Sequence, residues 1–335
     1  MPDPSRSCAL DPQNVAGRFA PSPTGLLHLG NARTALLAWL WARSASGRFA
    51  VRIEDLDGPR CRPQLESGQL ADLAWLGLDW DEGPSVEPPH QDTGPHGPYR
   101  QSQRTALYRE AVARLRERDL AYECFCSRAE VRSAARPSEA SAPHGPADDG
   151  PRYPGTCAGL TRDQRAERAR TRAPALRLRV PAGPVDFDDA IAGPQRFDPA
   201  AEVGDFVVQR ADGLHAYQLA VVVDDAAMAV TQVLRGADLL PSTARQLQLY
   251  TLLGLRPPRF AHAPLLYGPS GPGGAPQRLS KREGADTLAG LRSGGADPRR
   301  VVAGLARSAG LDAGLDACTP SELIACFRLE SLRSE

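Results

Sequence analysis

The sequence predicts an α/β fold built on a Rossmann-type parallel sheet, with an inserted subdomain and a short helical C-terminal region. Three observations carry this expectation. Residues 15–54 read strand–loop–helix–strand, the pattern of a βαβ unit. A second series of regular elements follows over 205–253. Between the two lies a stretch that carries cysteines and arginines and whose patterning is weaker.

The elements follow in order. Val15 to Ala20 reads as a strand and Pro21 to Gly25 as a loop. From Leu29, Ala32, Ala35, Leu36, Trp39 and Leu40 recur at helical spacing, and Ser44, Ser46 and Gly47 end the helix. Phe49, Val51 and Ile53 then alternate with Arg48, Arg52 and Glu54, the period of a strand. A helix is expected over 63–77, a Gly/Pro/His-rich loop over 83–98 and a helix over 103–122. Residues 133–150 are low in complexity and read as an insertion. Strands are expected at 205–209, at 216–223, where Val221, Val222 and Val223 point to burial, and at 229–234. A helix at 241–253, a flexible loop at 268–274 and helical stretches from 285 complete the chain. The expected organisation is a lead-in at 1–14, a Rossmann-type domain from 15–98 and 203–255, an insert at 99–202 and a terminal region at 256–335.

Composition narrows the function. No apolar run approaches the length of a membrane span, and Met1 to Pro12 lacks a signal-peptide core. Seven cysteines, an odd and scattered set, do not read as a secreted disulfide framework, so a cytoplasmic protein is expected. Lys+Arg and Asp+Glu number 40 each, which argues against a generally basic nucleic-acid binder but leaves room for a local patch. Of the 40 basic residues, one alone is lysine, Lys281. A lysine that persists where arginine serves everywhere else marks a place where a compact ammonium is needed.

Four segments carry chemistry. In the first, Arg18-Phe-Ala-Pro-Ser-Pro-Thr-Gly-Leu-Leu-His28-Leu-Gly-Asn31, glycines let the chain approach a ligand and the helix behind favours phosphate. His28 stands at the helix mouth, where it can donate to a phosphate oxygen. The second, Gln277-Arg-Leu-Ser-Lys281-Arg282, contains the single lysine. In the third, Glu54 ends a strand at the edge where ligands of parallel sheets bind, and Tyr217 and Arg235 follow in Ala216-Tyr-Gln-Leu-Ala and Leu234-Arg-Gly-Ala-Asp. The fourth pairs Cys124-Phe-Cys126 with Tyr153-Pro-Gly-Thr-Cys157, and three cysteines near one point in a cytoplasmic chain indicate zinc. His144, inside the insertion, is the more ordinary fourth ligand by chemistry. Arg162 to Arg179 holds seven arginines against Asp163 and Glu167 and is the better of two arginine-rich stretches for meeting an RNA backbone.

These motifs resemble the class I aminoacyl-tRNA synthetases in their glutamate-specific branch. His28 to Asn31 resembles the HIGH signature, departing at its second and fourth positions, and the Lys281 segment resembles the KMSKS loop. The stretch Gly97-Pro-Tyr-Arg-Gln-Ser-Gln-Arg104 belongs to the same pattern. The resemblance implies a class I Rossmann-type sheet with an inserted, zinc-containing acceptor-type subdomain. It places Arg18, Phe19, Ala20, Pro21, Ser22, Glu54, Tyr217 and Arg235 around L-glutamate. It places His28, Gly30, Asn31 and Lys281 on ATP and its magnesium, with His28 and Lys281 catalytic, and implies Cys124, Cys126, Tyr153 and Cys157 as zinc ligands. Only about 50 residues follow Lys281, too few for an anticodon-binding domain. Arg235-Gly-Ala-Asp-Leu-Leu, the cysteines and that short tail resemble the glutamyl-Q tRNA(Asp) synthetases. That family activates glutamate without tRNA and transfers it to queuosine at the wobble position of tRNA(Asp). A monomer is expected. A truncated glutamyl-tRNA synthetase, a non-catalytic RNA-binding paralogue and a nucleotidyltransferase of the same superfamily are the alternatives.

Overall fold

The computed structural model describes residues 15–134, 151–266, 287–311 and 314–332. The βαβ unit opens the fold: β1 (Ala16–Phe19), α1 (Leu29–Ser44) and β2 (Arg48–Val51), with β1 and β2 parallel and Phe19 opposite Val51. Helix α2 (Pro63–Trp75) follows, then a loop holding the two-residue strands β3 (Gly83–Pro84) and β4 (Asp92–Thr93). Helix α3 (Thr105–Glu117) ends earlier than its apolar pattern predicts. Asp119 takes a left-handed φ of 51°, a conformation Asp tolerates, and turns the chain into strand β5 (Ala121–Cys124).

The chain continues with α4 (Arg128–Ala134), α5 (Arg162–Ala169), β6 (Ala175–Leu178), a hairpin of β7 (Val185–Asp189) and β8 (Gly193–Phe197), and α6 (Pro199–Glu202). Strand β9 (Val207–Gln209) pairs with β6, giving an antiparallel sheet β5-β6-β9. Residues 135–150, with most of the low-complexity stretch and His144, lie outside the described residues.

The strand expected at 216–223 is instead helix α7 (Tyr217–Ala227). A short apolar run has no period that separates a buried strand from a buried helix, and here Gln218 to Asp225 are all buried on a helix. Strand β10 (Gln232–Gly236), helix α8 (Leu240–Leu253) and β11 (Arg259–Ala263) follow, with β10 and β11 parallel. Thr231 joins the two parallel pairs: its N–H donates to Ala16 O at 2.9 Å, and its hydroxyl accepts from Ala16 N at 2.8 Å. Helix α1 packs across β1 and β10.

Helices α9 (Leu288–Ser293) and α10 (Pro298–Ser308) close the chain. Leu288, Val302, Leu305 and Phe327 enter the same apolar cluster as Leu36, Trp39 and Leu40 of α1. Arg33 of α1 donates to the carbonyls of Ser308 and Pro264, and Arg292 of α9 pairs with buried Asp72 of α2 at 3.1 Å. No helix among the described residues is long and apolar enough to cross a membrane.

Candidate active site and cysteine centre

Strands β1, β2 and β10 end at a cavity of about 570 Å³ beside the N-terminus of α1. His28 caps that helix. Its Nδ1 accepts from the backbone N–H of Gly30 at 3.1 Å and of Asn31 at 3.3 Å, while Asn31 Oδ1 accepts from His28 N. A Cβ at position 30 would meet the ring at 2.9 Å, so the folded-back imidazole requires the glycine. With Nδ1 accepting, the ring hydrogen of neutral His28 sits on Nε2, the form that donates to an anion. The preceding loop is pinned by Gln69 of α2, whose amide donates to Ser22 O and Gly25 O at 3.0 and 2.7 Å. Thr287, just before α9, bridges His28, and Leu288 N donates to Leu27 O.

Arg18, Phe19, Ala20, Pro21, Ser22, His28, Gly30, Asn31, Glu54, Tyr217 and Arg235 all line this one cavity. Lys281 lies outside the described residues. The walls hold buried charge. Arg52, fully buried, donates to Asp225 at 2.6 Å and to Glu54 at 3.1 Å, and Arg18 approaches Asp225 at 3.4 Å. Burial would raise the Asp225 pKa, but Arg52 and Arg18 outweigh it and hold the carboxyl below its usual range. At Glu54 burial wins over Arg52 and Arg18, and its pKa is raised. Asp224 orients the wall behind, accepting from Arg104 at 2.6 Å, Tyr108 at 2.7 Å and Gln101 at 2.8 Å.

Arg235 is different. Its Nε donates to His262 Nε2 at 2.9 Å and its Nη2 to Thr243 Oγ1 at 2.8 Å, while Nη1 is buried without a partner. No carboxylate among the described residues pairs with it, and burial lowers its pKa. A buried guanidinium with a spare donor is a site for an incoming carboxylate.

Sequence reasoning did not single out Arg52, Asp189, Thr243, Asp224, Asp225 or His262. The signal available was a charged residue inside an apolar run. Asp224 and Asp225 follow three valines, and His262 interrupts Phe260 to Ala263.

The second centre lies in the insert. The sulfurs of Cys124, Cys126 and Cys157 fall within 4.8 Å of one another, with Cys126 and Cys157 3.6 Å apart. The Tyr153 hydroxyl is 3.3 Å from Cys124 Sγ and 3.8 Å from Cys126 Sγ, and accepts from Cys157 N at 2.9 Å. A tetrahedron with zinc–sulfur bonds of about 2.3 Å has edges of about 3.8 Å, so the three sulfurs and the phenol oxygen fit such an ion. Gly204 keeps φ at +71° against Tyr153 O, which an added Cβ would meet at 2.5 Å, so glycine lets the backbone seat the tyrosine. Arg177 donates to Cys124 Sγ at 3.2 Å and lies 3.9 Å over the Tyr153 ring, and Arg168 donates to Cys157 Sγ at 3.5 Å. Arg172 donates to Phe125 O. Three of the seven arginines in this stretch therefore brace the cysteine region, while Arg162 and Arg170 stand exposed.

The family model described as tRNA synthetases class I (E and Q), catalytic domain, matches residues 14–333. A glutamyl-Q tRNA(Asp) synthetase of Symbiobacterium thermophilum is 55% identical over 322 residues, 96% of this chain and 94% of the relative. Another, from Nitratidesulfovibrio vulgaris, is 47% identical over 298 residues, 89% of this chain and 87% of the relative. Among solved structures, the glutamate-tRNA synthetase of Elizabethkingia anophelis superposes with a TM-score of 0.80 at 30% identity, covering 96% of this chain and 67% of that one. The chain belongs to the class I tRNA synthetases of the E and Q type and, within them, to the glutamyl-Q tRNA(Asp) synthetase family.

Proposed function

We propose that the protein activates L-glutamate with ATP, independently of tRNA, and transfers it to the queuosine base at the wobble position of tRNA(Asp). One observation supports the glutamate step above the rest: Arg18, Arg235 and Glu54 line a single cavity that continues to His28 at the α1 N-terminus. In this reading the two arginines meet the two carboxylates, and Glu54, with Tyr217, meets the α-ammonium. ATP lies along Gly30 and Asn31 as its magnesium complex.

An α-carboxylate oxygen attacks the α-phosphorus in line, and pyrophosphate leaves. His28 Nε2–H and the Lys281 ammonium stabilise the charge that develops on the phosphoryl oxygens. Lys281 is assigned here from its motif. A hydroxyl of the queuine ring then attacks the adenylate carbonyl, AMP leaves, and an ester forms. Holding the reactants in register supplies much of the acceleration.

Zinc, held by Cys124, Cys126, Cys157 and Tyr153, fastens the insert, and the donor distances above support that assignment. Exposed Arg162 at the start of α5 is available to RNA phosphates. A monomer working in the cytoplasm, where charged tRNA is made, completes the proposal.

The test is glutamate transfer to tRNA(Asp) with and without queuosine, with tRNA(Glu) as a third acceptor. Transfer confined to the queuosine-containing tRNA is expected. Charging of tRNA(Glu) instead would replace the proposal with a truncated glutamyl-tRNA synthetase. In parallel, Lys281→Ala should lose most glutamate-dependent ATP–pyrophosphate exchange while glutamate affinity stays close to that of the parent.

A further inference from the structure

We propose that Asp189 and His262 form a positioning relay that aims Arg235, unpaired with any described carboxylate, at the γ-carboxylate, so that this pair sets the preference for glutamate over glutamine. The proposal rests on the glutamate reading of the cavity.

The relay is built across three strands. Arg235 and His262 are Cα partners in the parallel pairing of β10 with β11, which brings their side chains to one face. Asp189 ends β7, which lies against β11 through the Ala190 N to Phe260 O bond. One Asp189 oxygen accepts from the backbone N–H of Ile191, Ala192 and His262 at 3.1, 2.8 and 3.1 Å. The other accepts from His262 Nδ1 at 2.6 Å. Burial would raise the Asp189 pKa, yet these bonds hold it below the usual carboxylate range, so it remains an acceptor.

The state of the histidine follows. Burial, joined by the charge of Arg235, pushes the His262 pKa down to about 4 against the pull of Asp189. The ring is neutral. With its hydrogen on Nδ1 and donated to Asp189, Nε2 can only accept, and it accepts from Arg235 Nε. Thr243 takes Nη2. Arg235 is thereby oriented by two neutral acceptors and makes no ion pair with a described carboxylate, while Nη1 remains for the ligand.

A carboxylate at position 262 would orient the guanidinium equally well but neutralise it. A buried cation without a protein counter-ion favours a ligand that brings the negative charge, and a carboxamide brings none. The α-carboxylate is the reacting group and must advance on the phosphorus. The rigidly held cation therefore suits the γ-carboxylate, the group that distinguishes glutamate from glutamine.

The experiment measures KM and kcat for glutamate, for glutamine and for ATP in pyrophosphate exchange with the full chain, in His262→Gln, His262→Glu, Asp189→Asn and Arg235→Leu. The amide of His262→Gln can accept from Arg235 and donate to Asp189, so its KM for glutamate should stay within about threefold of the parent. His262→Glu should raise KM for glutamate about tenfold and reduce the glutamate-to-glutamine preference by a similar factor, with KM for ATP nearly unchanged. Asp189→Asn should shift both quantities in the same direction by a smaller factor, and it decides the matter if His262→Glu does not fold. Unchanged KM and preference in folded His262→Glu or, failing that, in Asp189→Asn would overturn the relay, provided Arg235→Leu loses glutamate. Unchanged glutamate KM in Arg235→Leu would overturn the glutamate reading itself.

Discussion

The cavity and the cysteine centre both gather ionisable groups at a point, but the chain holds them by different means. Around the cavity, Arg18, Arg52, Glu54, Asp224, Asp225 and Arg235 come from β1, the end of β2, α7 and β10, elements locked by parallel ladders and by α1 packed across them. Nearly every charge there already has an opposite partner in the protein. At the cysteine centre the local core is Tyr122, Cys124, Phe125, Val131, Tyr153 and Cys157, so three of its six buried residues are ones proposed to hold zinc. Cys126, Tyr153 and Cys157 sit outside regular elements. One site is pre-formed by secondary structure. The other, on the proposed zinc reading, draws its core from the residues that the metal would join.

The largest test of this contrast is removal of the proposed zinc. Chelation, or Cys157→Ser, should unfold the insert first, lowering its thermal transition by about 10 °C or more, while glutamate-dependent pyrophosphate exchange survives. Calorimetry alongside exchange assays reads both, and exchange that falls in step with metal loss would break the distinction.

Next is a wound to the cavity. Asp225→Ala takes the paired carboxylate from Arg18 and the shorter of two carboxylate bonds from Arg52, which keeps Glu54, and breaking a buried pair costs about 3–5 kcal/mol, measurable by urea unfolding. Asp225→Asn should cost less, because it keeps an acceptor for Arg52.

A smaller effect is expected at Tyr153. Tyr153→Phe should weaken zinc binding by roughly 10–100-fold, the scale seen when the close surroundings of a metal are altered. Unchanged zinc affinity would move the fourth position to His144.

The smallest is a pH slope. His262 binds its proton less tightly folded than unfolded, so the unfolded state takes up more protons between pH 6.5 and about 4. The His262 contribution to stability should be full above pH 6.5 and decline as pH falls through that window, against an opposite slope from Asp72, whose pKa burial raises to about 6 despite Arg292. Urea midpoints against pH should flatten in His262→Gln. A residual slope remains from His215, whose pKa burial and then Arg109 also lower.

Much of the cavity was legible in the sequence because its lining comes from local motifs: a loop before a helix, a glutamate at a strand end, a tyrosine and an arginine in short patterned stretches. The cysteine set was legible for a related reason, since cysteine pairs at close spacing are rare. What stayed hidden depends on distance along the chain. Nothing in periodicity joins Arg52 to Asp225, 173 positions away, or His262 to Asp189, 73 positions away. The misreading of residues 216–223 has a different origin. Val221 to Val223 are wholly enclosed, and a helix with no solvent face has no 3.6-residue signature to read.

The bridge between His28 and Thr287 has a consequence for how the protein comes into being. It closes across 259 residues, and the Arg18–Asp225 pair across 207. Chains emerge from the ribosome N-terminus first, and contacts of high sequence separation form late. The first motif of the site is translated early, and Gln69 can pin its loop early, but its bridge to Thr287 must wait for 259 further residues. A nascent chain interrupted before Thr287 carries the βαβ unit without the backing of its α1 cap. The completed α1 cap thus arrives only after Thr287 has been made.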